Sequence, residues 1–180
     1  MKKLSNFKVT LIVLITILFV SSPIHLMAVE KSIGKESKKD LPAFIFSAKD
    51  IEGNKVDLAD YLGKKIIVVN FWATWCPPCR FEIPELIKLQ KVYKDKIQII
   101  GVSLDRSLGD VKNYREHKLN YPIIWDRYGE IAYLYGGISS IPTTFIINTE
   151  GKIVERIIGA RTFESFEYVI KKYIPKATNK

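Results

Sequence analysis

Trp72-Ala73-Thr74-Trp75-Cys76-Pro77-Pro78-Cys79-Arg80 holds the only two cysteines in 180 residues, three positions apart, at a change from strand to helix. Upstream, Lys65-Ile66-Ile67-Val68-Val69-Asn70-Phe71 is a short apolar run rich in β-branched residues, the pattern of a buried β-strand. Downstream, Pro77 suits a first helical position, where its missing N–H costs little. Cys76 is thus expected at the mouth of a helix and Cys79 one turn inside it. Residues three apart on a helix share a face, with Cα atoms about 5–5.5 Å apart, which is within reach of a disulfide.

The helix mouth bears on reactivity. Unpaired N–H groups and the helix dipole favour an anion there, so Cys76 is expected to be the more readily ionised thiol. Thiolate is the nucleophile of disulfide exchange, which makes Cys76 the attacker and Cys79 the shielded resolving thiol. A zinc site would want four ligands, and the remaining candidates are only His25, inside an apolar leader, and His117, far along the chain. A structural staple would more usually close a longer loop. Neither a metal nor a cofactor is expected.

Phe71 to Cys79, followed much later by Ile141-Pro142-Thr143-Thr144-Phe145, resembles the thioredoxin superfamily. The match is closest to its TlpA/ResA-like branch of membrane-tethered or exported thiol–disulfide oxidoreductases, and it spans about Leu41 to Tyr173. The resemblance implies an α/β thioredoxin fold, a mixed central sheet flanked by helices, with an extra N-terminal β-hairpin. It also implies a cis Ile141–Pro142 bond facing the Cys76 sulfur, where exposed backbone groups would pair with an extended substrate segment.

Glu82 follows Cys79 by three residues, so a helix would place both on one face. A carboxylate there would accept the resolving thiol's proton. In thioredoxins themselves a strand aspartate six residues before the first cysteine serves this purpose; Asn70 occupies that position and cannot titrate. The ResA-like pattern has a glutamate where Glu82 stands, so the resemblance supports the role. The alternative is a solvated carboxylate on an exposed helix face. Trp75, Pro77 and Pro78 are expected to touch the substrate together with Ile141 and Pro142, and Trp72 to pack inside.

The chain begins with Lys2, Lys3 and Lys8, followed by an apolar run from Val9 to Val20, the plan of a secretory signal. Residues 1–29 are read as a signal peptide or N-terminal membrane anchor, 30–40 as a polar linker, 41–175 as the thioredoxin-like domain and 176–180 as a polar tail. The apolar stretch to Val29 is long enough to remain as an anchor, and the lysines would stay on the cytoplasmic side. The domain is therefore expected on the extracytoplasmic side of a bacterial membrane, anchored, or exported if the leader is cleaved. Removing residues 1–28 lowers the net charge from +9 to +6. No basic motif interleaved with aromatics appears, so nucleic acid is not an expected partner.

Within the domain, Phe44 to Ala48 and Asp50 to Val56 are expected to form the hairpin, and Leu58 to Leu62 a short helix ended by Gly63. A helix runs from the cysteines to about Lys94, kinked at Pro84. Ile97 to Ser103 is a second buried strand and Leu108 to Lys118 a helix. Pro122 to Asp126 is a connecting segment and Ile131 to Tyr135 another helix. Thr143–Ile147 and Ile153–Ile158 form a hairpin, and Phe163, Phe166, Val169 and Ile170 recur at helical spacing in a last helix over about 162–173.

The expected function is reduction of disulfides in exported proteins through the Cys76/Cys79 dithiol. In the resembled branch the substrates include apocytochrome c and spore or envelope proteins, and electrons come from a transmembrane thiol carrier of the CcdA/DsbD kind. Pro77 and Pro78 offer no N–H to the Cys76 thiolate, which would rely on the Cys79 and Arg80 backbone groups. A less stabilised thiolate makes a more reducing couple, since each pKa unit is about 1.4 kcal/mol, or roughly 30 mV for two electrons. Two rival classes are a peroxiredoxin-type thiol peroxidase, which normally sets its cysteine in a Thr-x-x-Cys context, and a non-catalytic thioredoxin-fold chaperone or binding module.

Overall fold

The computed structural model describes residues 41–114 and 118–174. The leader, the polar linker, His117 and the tail at 176–180 lie outside the described residues. Eight strands are present among them: β1 Leu41–Pro42, β2 Ser47–Lys49, β3 Lys55–Asp57, β4 Ile66–Trp72, β5 Ile97–Ser103, β6 Ile123–Trp125, β7 Thr143–Ile147 and β8 Lys152–Ile158. The helices are α1 Pro77–Val92, α2 Leu108–Tyr114, α3 Glu130–Leu134 and α4 Phe163–Lys171, with a 3₁₀ turn at Leu58–Tyr61. Six strands form a mixed sheet in the order β1-β8-β7-β4-β5-β6, while β2 and β3 pair separately. β4 runs parallel to β5 and antiparallel to β7. This is the thioredoxin architecture expected from the sequence, hairpin included.

Every residue of β4 is buried, and their side chains sort by strand periodicity onto two faces. Ile66, Val68 and Trp72 join the cluster built with α1 and α4, through residues such as Cys79, Leu86, Leu89 and Phe166. Ile67, Val69 and Phe71 join the opposite cluster with Phe46, Val56, Leu58, Ile131 and Tyr135. A strand covered on both faces must be apolar almost throughout, which is why this run reads as continuous rather than alternating. Asn70 is its one polar residue, and its even register puts it on the α1 face.

Four expectations change. Ile123–Trp125 is not a connector but the outer parallel strand, bonded to β5, and the hairpin turn meets it where the Ile51 N–H donates to the Ile123 carbonyl at 2.8 Å. Leu41–Pro42 adds an unexpected strand against β8. Phe44 and Ile45 stand outside the hairpin strands and are exposed. α2 is described only to Tyr114, and Lys118 has φ 55°, so the helix does not extend through Lys118. α1, by contrast, continues through Pro84 to Val92, as the helical pattern beyond the proline required.

Among the described glycines, Gly101 has the least room for a side chain. A Cβ there would lie 2.5 Å from Ile123 Cδ1 and 3.1 Å from Trp72 Nε1. Gly101→Ala is therefore expected to destabilise by about 1–3 kcal/mol, since Ile123 can rotate away but the buried Trp72 indole has little room to move. A fall in the urea midpoint with unchanged slope would register this; an unchanged midpoint would contradict it.

Candidate active site

β4 ends at Trp72, and the chain turns through Ala73–Trp75 before α1 begins. That turn is held by Asp105, a buried residue just beyond β5. Its carboxylate accepts the Thr74 N–H at 3.0 and 3.2 Å, the Thr74 hydroxyl at 2.6 Å and the Ser103 hydroxyl at 2.8 Å. Its backbone carbonyl accepts Trp125 Nε1–H at 2.8 Å. The β4–α1 turn is thus tied to the ends of β5 and β6.

Cys76 is the N-cap of α1, with Pro77 and Pro78 as the first two helical residues. It is joined to Cys79 by a disulfide, Cα to Cα 5.3 Å. The Cys79 N–H donates to Cys76 Sγ at 3.2 Å. The Arg80 N–H, expected to support the same sulfur, instead donates to the Cys76 backbone carbonyl at 3.1 Å, because the helical ladder claims it. Cys79 is fully buried, while Cys76 keeps a small exposed surface of 3%. Their order of accessibility fits an attacking and a resolving sulfur.

The expected substrate contacts surround that surface. Trp75 is 65% exposed and Pro77 and Pro78 are exposed, whereas Trp72 is buried. The Ile141–Pro142 bond is cis, and the Ile141 carbonyl oxygen lies 3.7 Å from Cys76 Sγ. Ile141 is half-buried and Pro142 buried. The fold thus brings residues 65 positions apart to one sulfur.

Glu82 is not on an exposed helix face: it is 1% exposed, on the buried side of α1 with Cys79. One carboxylate oxygen accepts the Arg161 N–H at 3.0 Å and the other accepts Asn70 Nδ2–H at 2.9 Å. Asn70 also donates to Thr144 Oγ1 at 2.9 Å. Burial pushes the Glu82 carboxyl up to about 7, against the opposing pull of the Arg161 N–H, the Asn70 amide and the Arg161 charge. A group poised there gives or takes a proton near neutrality. Asn70, Thr144, Arg161 and Asp105 were not singled out as site residues from the sequence; the visible signals were Asn70 at the position of the thioredoxin aspartate, inside an otherwise apolar strand, and Thr144 within the motif around Pro142.

A family model described as AhpC/TSA matches residues 39–156. The chain belongs to the AhpC/TSA family. The chain is 36% identical to the thiol-disulfide oxidoreductase ResA of Bacillus cereus over 167 residues, covering 89% of this chain and 94% of that protein. It is 37% identical to the thioredoxin-like protein YneN of Bacillus subtilis, covering 77% and 81%. Among solved structures, a thioredoxin-family thiol:disulfide interchange protein from Chlorobium tepidum superposes with a TM-score of 0.71 at 32% identity, covering 77% of this chain and 99% of that one. The protein is a thiol–disulfide oxidoreductase with Cys76–Cys79 as its disulfide.

The burial of Glu82 has a measurable thermodynamic sign. Its folded-state affinity for the proton exceeds that of an unfolded carboxyl near 4.5, so the folded protein binds more protons between about 4.5 and 7. Stability from this group is fully present below that window and is lost as pH rises through it, by about 3 kcal/mol in all. Glu82→Gln is expected to flatten that part of the dependence of urea-unfolding free energy on pH. An equal slope in wild type and variant would show that Glu82 does not titrate there.

Proposed function

We propose that the protein is a protein-disulfide reductase working outside the cytoplasm. The observation that carries this reading is a sulfur pair at the start of α1 with a near-neutral buried carboxyl on the same helical face. In the proposed cycle the Cys76 thiolate attacks a substrate disulfide, forming a Cys76–substrate bond and releasing one substrate thiolate. Glu82 takes the Cys79 proton. The Cys79 thiolate attacks Cys76 Sγ, releasing the second substrate thiolate and leaving the Cys76–Cys79 disulfide. Two electrons pass to the substrate, and a dithiol donor must return them.

The reducing direction is supported by how little holds a thiolate at Cys76. Pro77 and Pro78 have no N–H, the Arg80 N–H is committed to the helix, and the Cys79 N–H alone reaches the sulfur. Weak support for the thiolate leaves the reduced form less stable and the couple more reducing. Trp75, Pro77, Pro78, Ile141 and Pro142 would form the contact surface, with the Ile141 backbone pairing to an extended segment beside the target disulfide.

The basic start and apolar run of residues 1–20 support export or anchoring through the N-terminal segment. Behind a membrane the dithiol donor would be a transmembrane thiol carrier of the CcdA/DsbD kind. The resemblance to the TlpA/ResA-like branch gives two classes of substrate, apocytochrome c and spore or envelope proteins, and the proposal covers both.

Cys79→Ala in cells is expected to trap substrates on Cys76 as mixed disulfides that mass spectrometry can identify; a variant lacking both sulfurs should trap none. Equilibration with glutathione should place the potential below about −200 mV. A value near −120 mV, or trapping independent of Cys76, would overturn the proposal. Hydrogen peroxide consumption by the dithiol would support a peroxidase instead.

A further inference from the structure

Asn70 sits in the middle of the central strand, on the face toward α1, directly opposite Thr144 of β7 in the sheet register. All three members of its side-chain network are buried: Asn70, Thr144 and Glu82 are each 1% exposed. A carboxamide placed there costs stability unless its hydrogens are used. Both Nδ2 hydrogens are used, one on Glu82 Oε2 and one on Thr144 Oγ1, each at 2.9 Å. The bond to Thr144 across the sheet fixes the amide's rotation, so its other N–H points at the carboxylate.

We infer that Asn70 is a positioning residue that sets the protonation of Glu82 during the resolving step. This deepens the reading of Glu82 as proton acceptor and rests on it. A carboxylate offers about four lone-pair sites, and here one on each oxygen is already occupied by a donor. An incoming proton is confined to the sites that remain. Because Nδ2 donates and cannot accept, the contact favours the ionised carboxylate, the form able to take a proton from Cys79.

The other groups facing Glu82 leave this lever to Asn70. The Arg161 N–H is backbone and fixed by the fold, and its guanidinium also favours the ionised form. Tyr121 is a buried phenol held well above its ordinary range, chiefly by burial with the Glu82 charge adding to it, so it stays neutral. Cys79, on the same helical face, is the proton's source. Among the side chains hydrogen-bonded to Glu82 in the described residues, Asn70 is the donor that a substitution can remove.

The two half-reactions can be separated with the aromatic disulfide of Ellman's reagent. The reduced protein releases one thionitrobenzoate when the Cys76 thiolate attacks and a second when the Cys79 thiolate attacks the Cys76 mixed disulfide, leaving the protein disulfide. Both are followed by stopped-flow absorbance against pH. Asn70→Ala is expected to leave the first release within about two-fold of wild type. It should shift the second upward by roughly one pH unit, slowing it up to about tenfold below neutrality. Equal slowing of both releases at every pH, or an unmoved midpoint, would overturn the inference.

Glu82→Gln separates this from the reading beneath it. If that variant kept the wild-type profile, the acceptor role would fall and the tether with it. If it removed the titration while Asn70→Ala left the midpoint in place, only the tether would fall. Should Asn70→Ala not fold, the double substitution N70D/E82Q puts the acceptor on the strand and the donor on the helix, with the Thr144 hydroxyl turned to donate to the strand carboxylate. It is expected to recover a pH-dependent second release, and a folded double variant without one would overturn the inference.

Discussion

A strand buried on both faces, running straight into the start of a helix, is the constraint on which the site depends. β4 cannot shift by one residue without exchanging the contents of two cores, because Ile66, Val68 and Trp72 serve one and Ile67, Val69 and Phe71 the other. Its far end is therefore fixed in space, and Asp105 fixes the turn that follows. Cys76 inherits its position from those two restraints. The same register lays Asn70 against α1, one strand away from Thr144. Packing thus sets the location of the sulfurs and of the Asn70–Glu82 pair beside them.

Around the sulfur pair, two effects pull in different directions. The helix start favours an anion at Cys76, but the prolines and the helical ladder leave it one backbone donor. At Glu82, burial favours the neutral acid while two donors favour the carboxylate, and burial wins only far enough to bring the group near neutrality. Had Glu82 been solvated, it would be ionised throughout the physiological range and a weak proton acceptor. Had it been buried without partners, it would remain a neutral acid. The Arg161 and Asn70 contacts place it between those limits.

Much of this was legible in the sequence because it is local. The β-branched run before Trp72, the two cysteines with prolines between them, and the helical spacing beyond Pro84 each declare their element within a few residues. Ile123–Trp125 did not, since three residues beside Pro122 are too few to show a period, and Leu41–Pro42 is shorter still. The environment of Glu82 was out of reach for a different reason. Its partners lie 12 and 79 residues away, and Asp105 lies 31 residues from Thr74, so only the closed fold brings them together. The family resemblance pointed to Glu82; the spacing of α1 alone could not say which side of the helix would be wet.

The bond from the Arg161 N–H to Glu82 spans 79 residues, and one turn further along α1 Glu85 accepts the Phe163 N–H at 3.0 Å. These are contacts to the start of the last helix. A ribosome makes residues 76–85 before residues 161–163, so a nascent chain carries both thiols before the Glu82 carboxyl can gain the Arg161 contact. The two thiols therefore exist before the packing that gives Glu82 its buried environment is complete.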